Sequence, residues 1–328
     1  MVRAKIVGTG FYVPEKVVTN KDLEKKIDTT DEWITTRTGI KERRIVSNGE
    51  TTSDLALRAS ERALKMAGIK SQDLDLIIVT TMSGDMPMPS TASILQYKLG
   101  ARMVPAMDLN AACTGFLYGL AVAESFIKAD SRRYRHVLLV GADIMSHFMD
   151  WSDRSTCVIF GDGAGAVVLV PSYDSSGVIS TKLYSDGSLW DLVCLPGGGT
   201  LYPPSKEMVE KKLSYVKMKG NETFKVAVRT LYNIAKDILS ENNLHIDEIS
   251  LLIPHQANIR IIQAIGERLG LPMEKIFINI DRYGNTSAAS IPIALDEALR
   301  GGKISKDDYI IMEAFGSGLT WASALIKW

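Results

Sequence analysis

Short apolar runs rich in β-branched residues alternate along this chain with longer segments whose apolar residues recur every three or four positions, the pattern of strands interleaved with helices. TTSDLALRASERALKMAGI (51–69) reads as an amphipathic helix with Thr52 or Ser53 as its cap and Gly68 near its end. DLDLIIVTTM (73–82) follows as a buried strand, YRHVLLVGADIM (134–145) as a second and GDGAGAVVLVP (161–171) as a glycine-led third. The second half repeats the plan. LYNIAKDILSENN (231–243) reads as a helix, DEISLLIPHQAN (247–258) as a strand running into a loop, NTSAASIPIALDEAL (285–299) as a helix and DDYIIMEAFGSG (307–318) as a strand. The predicted fold class is α/β.

The two halves also match in register. LDLIIV aligns with ISLLIP at a shift of 175 residues, AVAESF with ALDEAL at 173 and VLLVGAD with IIMEAF at 172. So steady a shift predicts a duplicated unit, residues 1–172 and 173–328, joined through PSYDSSG (171–177). Under that symmetry the helix opened by Cys113 corresponds to the one opened by Asn285, and His255 ends the strand that matches the one ending at Thr80. Strand ends and helix starts of this kind converge where α/β proteins bind ligands. One stretch breaks the rhythm: PGGGTLYPPSKEMVEKKLSYVKMKGNE (196–222), rich in Gly, Pro and Lys, reads as a surface excursion or lid.

Composition narrows the function classes. Lysine plus arginine equals aspartate plus glutamate at 38 each, so no global field favours nucleic acid or an acidic membrane face. No run approaches the roughly 18 apolar residues a membrane helix needs. The apolar part of MVRAKIVGTGFYVP is short and broken by glycines, unlike a secretory signal. Three cysteines do not make a disulfide framework and suit a reducing compartment, so the expected location is the cytoplasm.

Candidate chemistry centres on three residues. Cys113, in DLNAACTGFLYGLAVAESFI (108–127), is either a buried structural thiol or a nucleophile at a helix N-terminus, where the macrodipole would lower its pKa. Cys157 and Cys194 lie in apolar runs and read as core. His255 follows a strand and Pro254; it reads as a capping or core histidine, or as a neutral hydrogen-bond donor. Asn285, in YGNTSAAS, reads as a turn or helix cap, or as an amide donor to an oxyanion. AFGSGLTW (314–321) offers either a tight hairpin or a nest of backbone N–H groups. GTG (8–10) lacks the third glycine of a dinucleotide fingerprint, and no second His or Cys stands at metal-ligand spacing from His255. A Cys, His, Asn order occurs in papain-like proteases, whose CGSCW-type signature is absent here, and in thiolase-like condensing enzymes.

TDEWITTRTGIKERR (30–44), AACTGF, FGDGAGAVVL, GNETFKVAV (220–228), PHQANIRI (254–261), GNTSAASIPIALDEA (284–298) and EAFGSGLTW occur together and in order. Over essentially its whole length the chain resembles the β-ketoacyl-acyl-carrier-protein synthase III family. That resemblance implies two similar halves in an α-β-α-β-α sandwich, usually as a homodimer. It implies condensation of a short acyl-CoA with malonyl-acyl-carrier protein and no cofactor beyond the CoA thioester, which is a substrate. Cys113, His255 and Asn285 correspond to the family's catalytic trio, and Trp33 to the tryptophan that stacks on the CoA adenine. Arg37 and Arg154 match arginines near the CoA adenine and phosphates, Phe224 and Asn258 match tunnel residues, and Lys225 and Arg260 match basic positions for the acidic carrier protein. The family's GGG turn is GSG here, which makes Ser317 N–H the partner of Cys113 N–H in an oxyanion hole. Met88 stands where some members place a phenylalanine that closes the partner subunit's acyl pocket. A type III polyketide synthase, which extends malonyl-CoA without a carrier, and a non-catalytic acyl-CoA-binding relative are the alternatives.

Overall fold

The computed structural model describes residues 2–328. Strand β1 (Arg3–Tyr12) leads to β2 (Val17–Thr19), α1 (Asn20–Glu24), α2 (Asp31–Thr38) and β3 (Glu42–Arg44). Then come α3 (Thr52–Ala67), β4 (Leu76–Thr80), α4 (Thr91–Lys98), β5 (Ala106–Leu109), α5 (Gly115–Ala129), β6 (Val137–Ile144) and β7 (Asp162–Ser172). The chain continues through β8 (Gly177–Ser185), β9 (Val193–Cys194), α6 (Lys206–Glu210), β10 (Lys217–Met218) and α7 (Gly220–Glu241). It closes with β11 (Ile249–Pro254), α8 (Ile259–Leu269), α9 (Ile280–Tyr283), α10 (Ser290–Arg300), β12 (Tyr309–Gly316) and β13 (Thr320–Lys327).

Two sheets carry the architecture, ordered β1-β7-β6-β4-β5 and β8-β13-β12-β11. A parallel bridge from Leu252 to Ile276 extends the second sheet at the place β5 takes in the first. In both, the strands beside the loop-crossing helices run parallel and the outer pair antiparallel. All eight residues of β6 are buried, as a continuous apolar run requires when both faces of a sheet are covered.

The covering layers follow from strand alternation. Leu76, Ile78 and Leu139 face inward with Leu251, Ile310 and Met312 of the other sheet, enclosing α5 and α10 through Phe116, Leu120, Ile291 and Leu295. Ile77, Val79 and Val140 face outward onto Leu55, Ala59 and Ala63 of α3. Leu252 and Ile311 do the same beneath Leu231 and Ile265 of α7 and α8. The result is the α-β-α-β-α sandwich, with each fully buried aliphatic side chain contributing about 1.5–3 kcal/mol. The GTG stretch belongs to this packing: a Cβ on Gly10 would fall 2.5 Å from Ala59 O, so glycine lets β1 approach α3.

Several boundaries differ from the sequence expectations. Helix α3 is capped by Thr51, whose N–H donates to the Asp54 carboxylate at 3.0 Å, rather than by Thr52 or Ser53. Thr52 Oγ1 is instead used on Ser83 O at 2.5 Å, and the Ser53 N–H on Asp85 at 2.8 Å. Helix α7 starts at Gly220 and takes the last residues of the 196–222 stretch; the remainder is mostly exposed but includes α6 and β10. Asn285 does not begin α10. A single 3-10 turn, Ser287–Ala289, intervenes.

Candidate active site

Two turns related by the internal repeat hold the site. Ala112–Thr114 precedes α5 and Ser287–Ala289 precedes α10. Each turn starts on a non-glycine residue with positive φ, Ala112 at 45° and Ser287 at 52°. Such backbone is costly and persists only where its surroundings fix it. Asp143, fully buried at the end of β6, does much of that fixing. It accepts from Thr81 Oγ1 at 3.0 Å, Met82 N at 2.9 Å, Ser83 Oγ at 2.7 Å and Ala288 N at 3.1 Å, so the second turn and the segment after β4 meet at one carboxylate.

Cys113 sits inside the first turn, at the positive end of α5. Its residue keeps partial exposure at the cavity floor, but protein surrounds the sulfur. Burial pushes the thiol up to about 12, with Asp143 adding to the rise and hydrogen bonds from Ser287 and Asn285 opposing it. The expected lowering by the helix terminus is therefore outweighed by desolvation. Gly316 abuts this residue: a Cβ there would lie 3.0 Å from both Cys113 Cβ and Cys113 N.

Asn285 is oriented by its own turn. Its Oδ1 accepts from Ser287 N at 2.8 Å, which leaves Nδ2 as the group facing the sulfur. Its backbone is stitched to the segment before β7, Asn285 N donating to Ile159 O at 2.9 Å and Gly161 N to Asn285 O at 3.0 Å. His255 follows β11, its N–H donating to Glu313 O at 2.8 Å. Gln256 locks this corner by accepting from Asn279 N at 2.9 Å while its own N–H donates to Ser290 Oγ at 2.7 Å. Burial pushes the His255 ring down to about 4, and neither ring nitrogen has a protein partner. The imidazole is neutral at physiological pH.

Cys113, His255 and Asn285 line one cavity of about 610 Å³. Ser317 lines it too, its hydroxyl donating to Val193 O. Trp33, Arg37, Phe224, Asn258 and Arg260 line the outer part. The Trp33 ring is flanked by the guanidinium groups of Arg37 at 4.8 Å and Arg154 at 5.1 Å. Arg260 lies over Phe224 at 5.4 Å. Asn258 caps α8 through Arg260 N at 2.9 Å and donates to Arg37 O at 3.0 Å, tying the two rims together.

Three sequence candidates lie outside the lining. Arg154 reaches the site only through Trp33, Lys225 is exposed on α7 beside Phe224, and Met88 is 83% exposed away from its own chain's cavity. Cys194, read from sequence as core, lines the cavity wall; the pairing of β9 with β10 turns it inward. Asn110, Ser287 and Phe315 also line it and were not singled out from sequence. Asp143 carried a signal in the sequence: a lone acid inside an apolar strand. Among the described residues no cluster of three or more His, Cys, Asp or Glu side chains could hold a metal ion.

Two family models, the 3-oxoacyl-[acyl-carrier-protein] synthase III domain and its C-terminal domain, match residues 107–187 and 239–328. The beta-ketoacyl-[acyl-carrier-protein] synthase III of Caldanaerobacter subterraneus subsp. tengcongensis is 51% identical over 327 residues, covering 100% of this chain and 98% of that protein. This chain belongs to the 3-oxoacyl-[acyl-carrier-protein] synthase III family. The crystal structure of the Aquifex aeolicus synthase III superposes with a TM-score of 0.91 at 48% identity, covering 99% of this chain and 100% of that one. That of Pseudomonas aeruginosa gives 0.91 at 39% identity, covering 99% and 98%. As a member of the synthase III family the chain is a condensing acyltransferase of the thiolase fold.

Proposed function

We propose that the chain condenses a short acyl-CoA, acetyl-CoA first, with malonyl-acyl-carrier protein to give a 3-oxoacyl-acyl-carrier protein, CoA and CO2, the initiating step of fatty acid synthesis. The observation that carries this reading is the meeting of Cys113 with two uncharged donors, His255 and the Asn285 amide, in a single cavity whose mouth is ringed by Trp33 and arginines.

With burial keeping its thiol neutral at rest, Cys113 sheds its proton as it attacks the acyl thioester carbonyl, and that proton passes to the departing CoA sulfur. The backbone N–H groups of Cys113 and Ser317 receive the oxyanion, each worth about 3 kcal/mol. CoA departs as the free thiol, leaving acyl-Cys113. Malonyl carrier protein then places its thioester oxygen against His255 and Asn285 Nδ2. Their hydrogen bonds strengthen as the carboxylate leaves as CO2 and negative charge moves onto that oxygen. The carbanion attacks the acyl carbon, and the carbon–sulfur bond to Cys113 breaks. Decarboxylation drives the sequence, which calls on no metal or redox group.

Trp33, Arg37 and Arg154 are assigned to the adenine and phosphates of CoA, and Phe224 and Asn258 to its pantetheine arm. Lys225 and Arg260, both exposed at the rim, are assigned to the acidic carrier protein. The functional unit is a homodimer in which Met88 reaches the partner's acyl pocket. Residues 1–172 and 173–328 are two copies of one unit, one supplying the nucleophile and the other the donors. A free thiol nucleophile suits a reducing compartment, and the reaction is assigned to the cytoplasm.

The test is a primer scan. Incubation with acetyl-CoA is expected to acylate Cys113, seen as a mass shift, and malonyl carrier protein then to discharge it as 3-oxoacyl product. Turnover with malonyl-CoA in place of the carrier conjugate would favour the polyketide-synthase reading, and no mass shift at all would remove the enzymatic one.

A further inference from the structure

Arg43 is a large, fully buried side chain on β3, and it is charged. Its acceptors are Val18 O at 3.1 Å, Asn20 Oδ1 at 2.9 Å from both terminal nitrogens, and Val158 O at 2.8 Å. No carboxylate is among them. Glu42, next to it in sequence, pairs with Arg44 instead, and the Cys157 thiol nearby is pushed up to about 11 by burial and stays neutral. A buried guanidinium bonded only to neutral acceptors, with the Glu42 charge acting on it without a direct pair, costs several kcal/mol in desolvation, and a residue that breaks the rule for buried charge at such cost points to a function.

The position of Arg43 indicates what it is for. Val158 leads into the strip whose Ile159 and Gly161 hold the Asn285 backbone from both sides. The Arg43 stem runs against the same strip: a Cβ on Gly161 would fall 3.2 Å from Arg43 Cβ, and one on Gly284 3.5 Å. On its other side Asn20 holds the guanidinium and also donates to Asp31 at 2.8 Å and Ile40 O at 2.7 Å, the two ends of the segment that carries Trp33.

We propose that Arg43 is a positioning residue for Asn285: clamped between Asn20 and the Val158 carbonyl, its guanidinium fixes the strip bonded to the Asn285 backbone and so the aim of the Asn285 amide at the reacting thioester. The inference rests on the donor role given to Asn285 above. It separates the two half-reactions, because acylation involves that amide only through its hydrogen bond to the thiol, whereas decarboxylation relies on it as a donor to the developing oxyanion.

The experiment compares wild type, Arg43→Lys and Arg43→Met in two assays, single-turnover acetylation of Cys113 at saturating acetyl-CoA and decarboxylation of malonyl carrier protein. In Arg43→Met, decarboxylation is expected to fall about tenfold or more while acetylation stays within about twofold, since displacement of a catalytic group by a fraction of an ångström has effects of this order. Arg43→Lys is expected to recover part of the loss, because an ammonium keeps the charge without the fork that reaches both acceptors. Should neither variant fold, Asn20→Ala removes the shared acceptor and is judged by the same split. Equal losses in both assays, or no loss in either, in a folded variant would overturn the proposal. Failure of the wild type to show either half-reaction would count against the proposed function rather than against Arg43.

Discussion

At the residue scale the site divides labour between a nucleophile and two donors, and single substitutions separate them. Cys113→Ala is expected to abolish acyl transfer, whereas Asn285→Ala retains acyl-enzyme formation and loses condensation by about 100-fold, the usual effect of one preorganised donor; intact-protein mass spectrometry beside a product assay reads both. His255 makes a second prediction through its burial. With its ring pushed down from 6.5 to about 4, the unfolded chain binds a proton between those values that the folded chain refuses. Stability is therefore lost as pH falls from about 6.5 to 4, by about 3 kcal/mol in full. Urea denaturation of wild type and His255→Asn at pH 7 and pH 4.5 measures it, the variant losing less. Comparing the two chains cancels the buried Glu313, which burial raises to about 8 in both.

At the element scale the close approach of β12 to the nucleophile turn leaves no room for a side chain at Gly316. Gly316→Ala forces the Cys113 turn or the Ser317 turn to shift by a few tenths of an ångström. The expected result is a kcat reduced about 100-fold with folding little changed, checked by steady-state kinetics beside thermal unfolding. The same elements show what was legible from sequence. Strands β4, β6, β11 and β12 were readable because continuous apolar runs have few other uses, and the near-constant shift placed Asn285 and His255 opposite Cys113 before any coordinates. What local sequence could not give was the sign of the Cys113 shift. A helix N-terminus is visible in AACTGF, but the burial that outweighs it comes from segments far away in the chain, the close approach of Gly316 among them. Thr52 and Ser53 lose the cap to Thr51 for a similar reason: they are as good chemically, but Ser83 and Asp85 claim them.

At the scale of the whole molecule, the first sheet ends on β5, which pairs only with β4 and leaves its other edge open. Open edges in stable proteins are covered or blunted; β5 is four residues long and carries the exposed Asp108, yet the residues leading to it include large exposed apolar side chains. Met86, Met88, Tyr97 and Met103 are 49%, 83%, 84% and 99% exposed, four large apolar side chains within the twenty positions before β5. The homodimer proposed above would cover this face by joining edge to edge across β5. Sedimentation is expected to give twice the 36.0 kDa chain mass, and Tyr97→Glu combined with Met103→Glu to shift it toward the monomer. The functional consequence is sharper than the mass. If Met88 enters the partner's acyl pocket, its replacement by a rigid ring narrows that pocket from outside the chain that holds Cys113. Met88→Phe should then lower kcat/KM for branched or six-carbon primers about tenfold relative to acetyl-CoA, the discrimination a pocket gains from one or two excluded methylenes. The monomeric double variant should lose that discrimination altogether, because no neighbour remains to close the pocket.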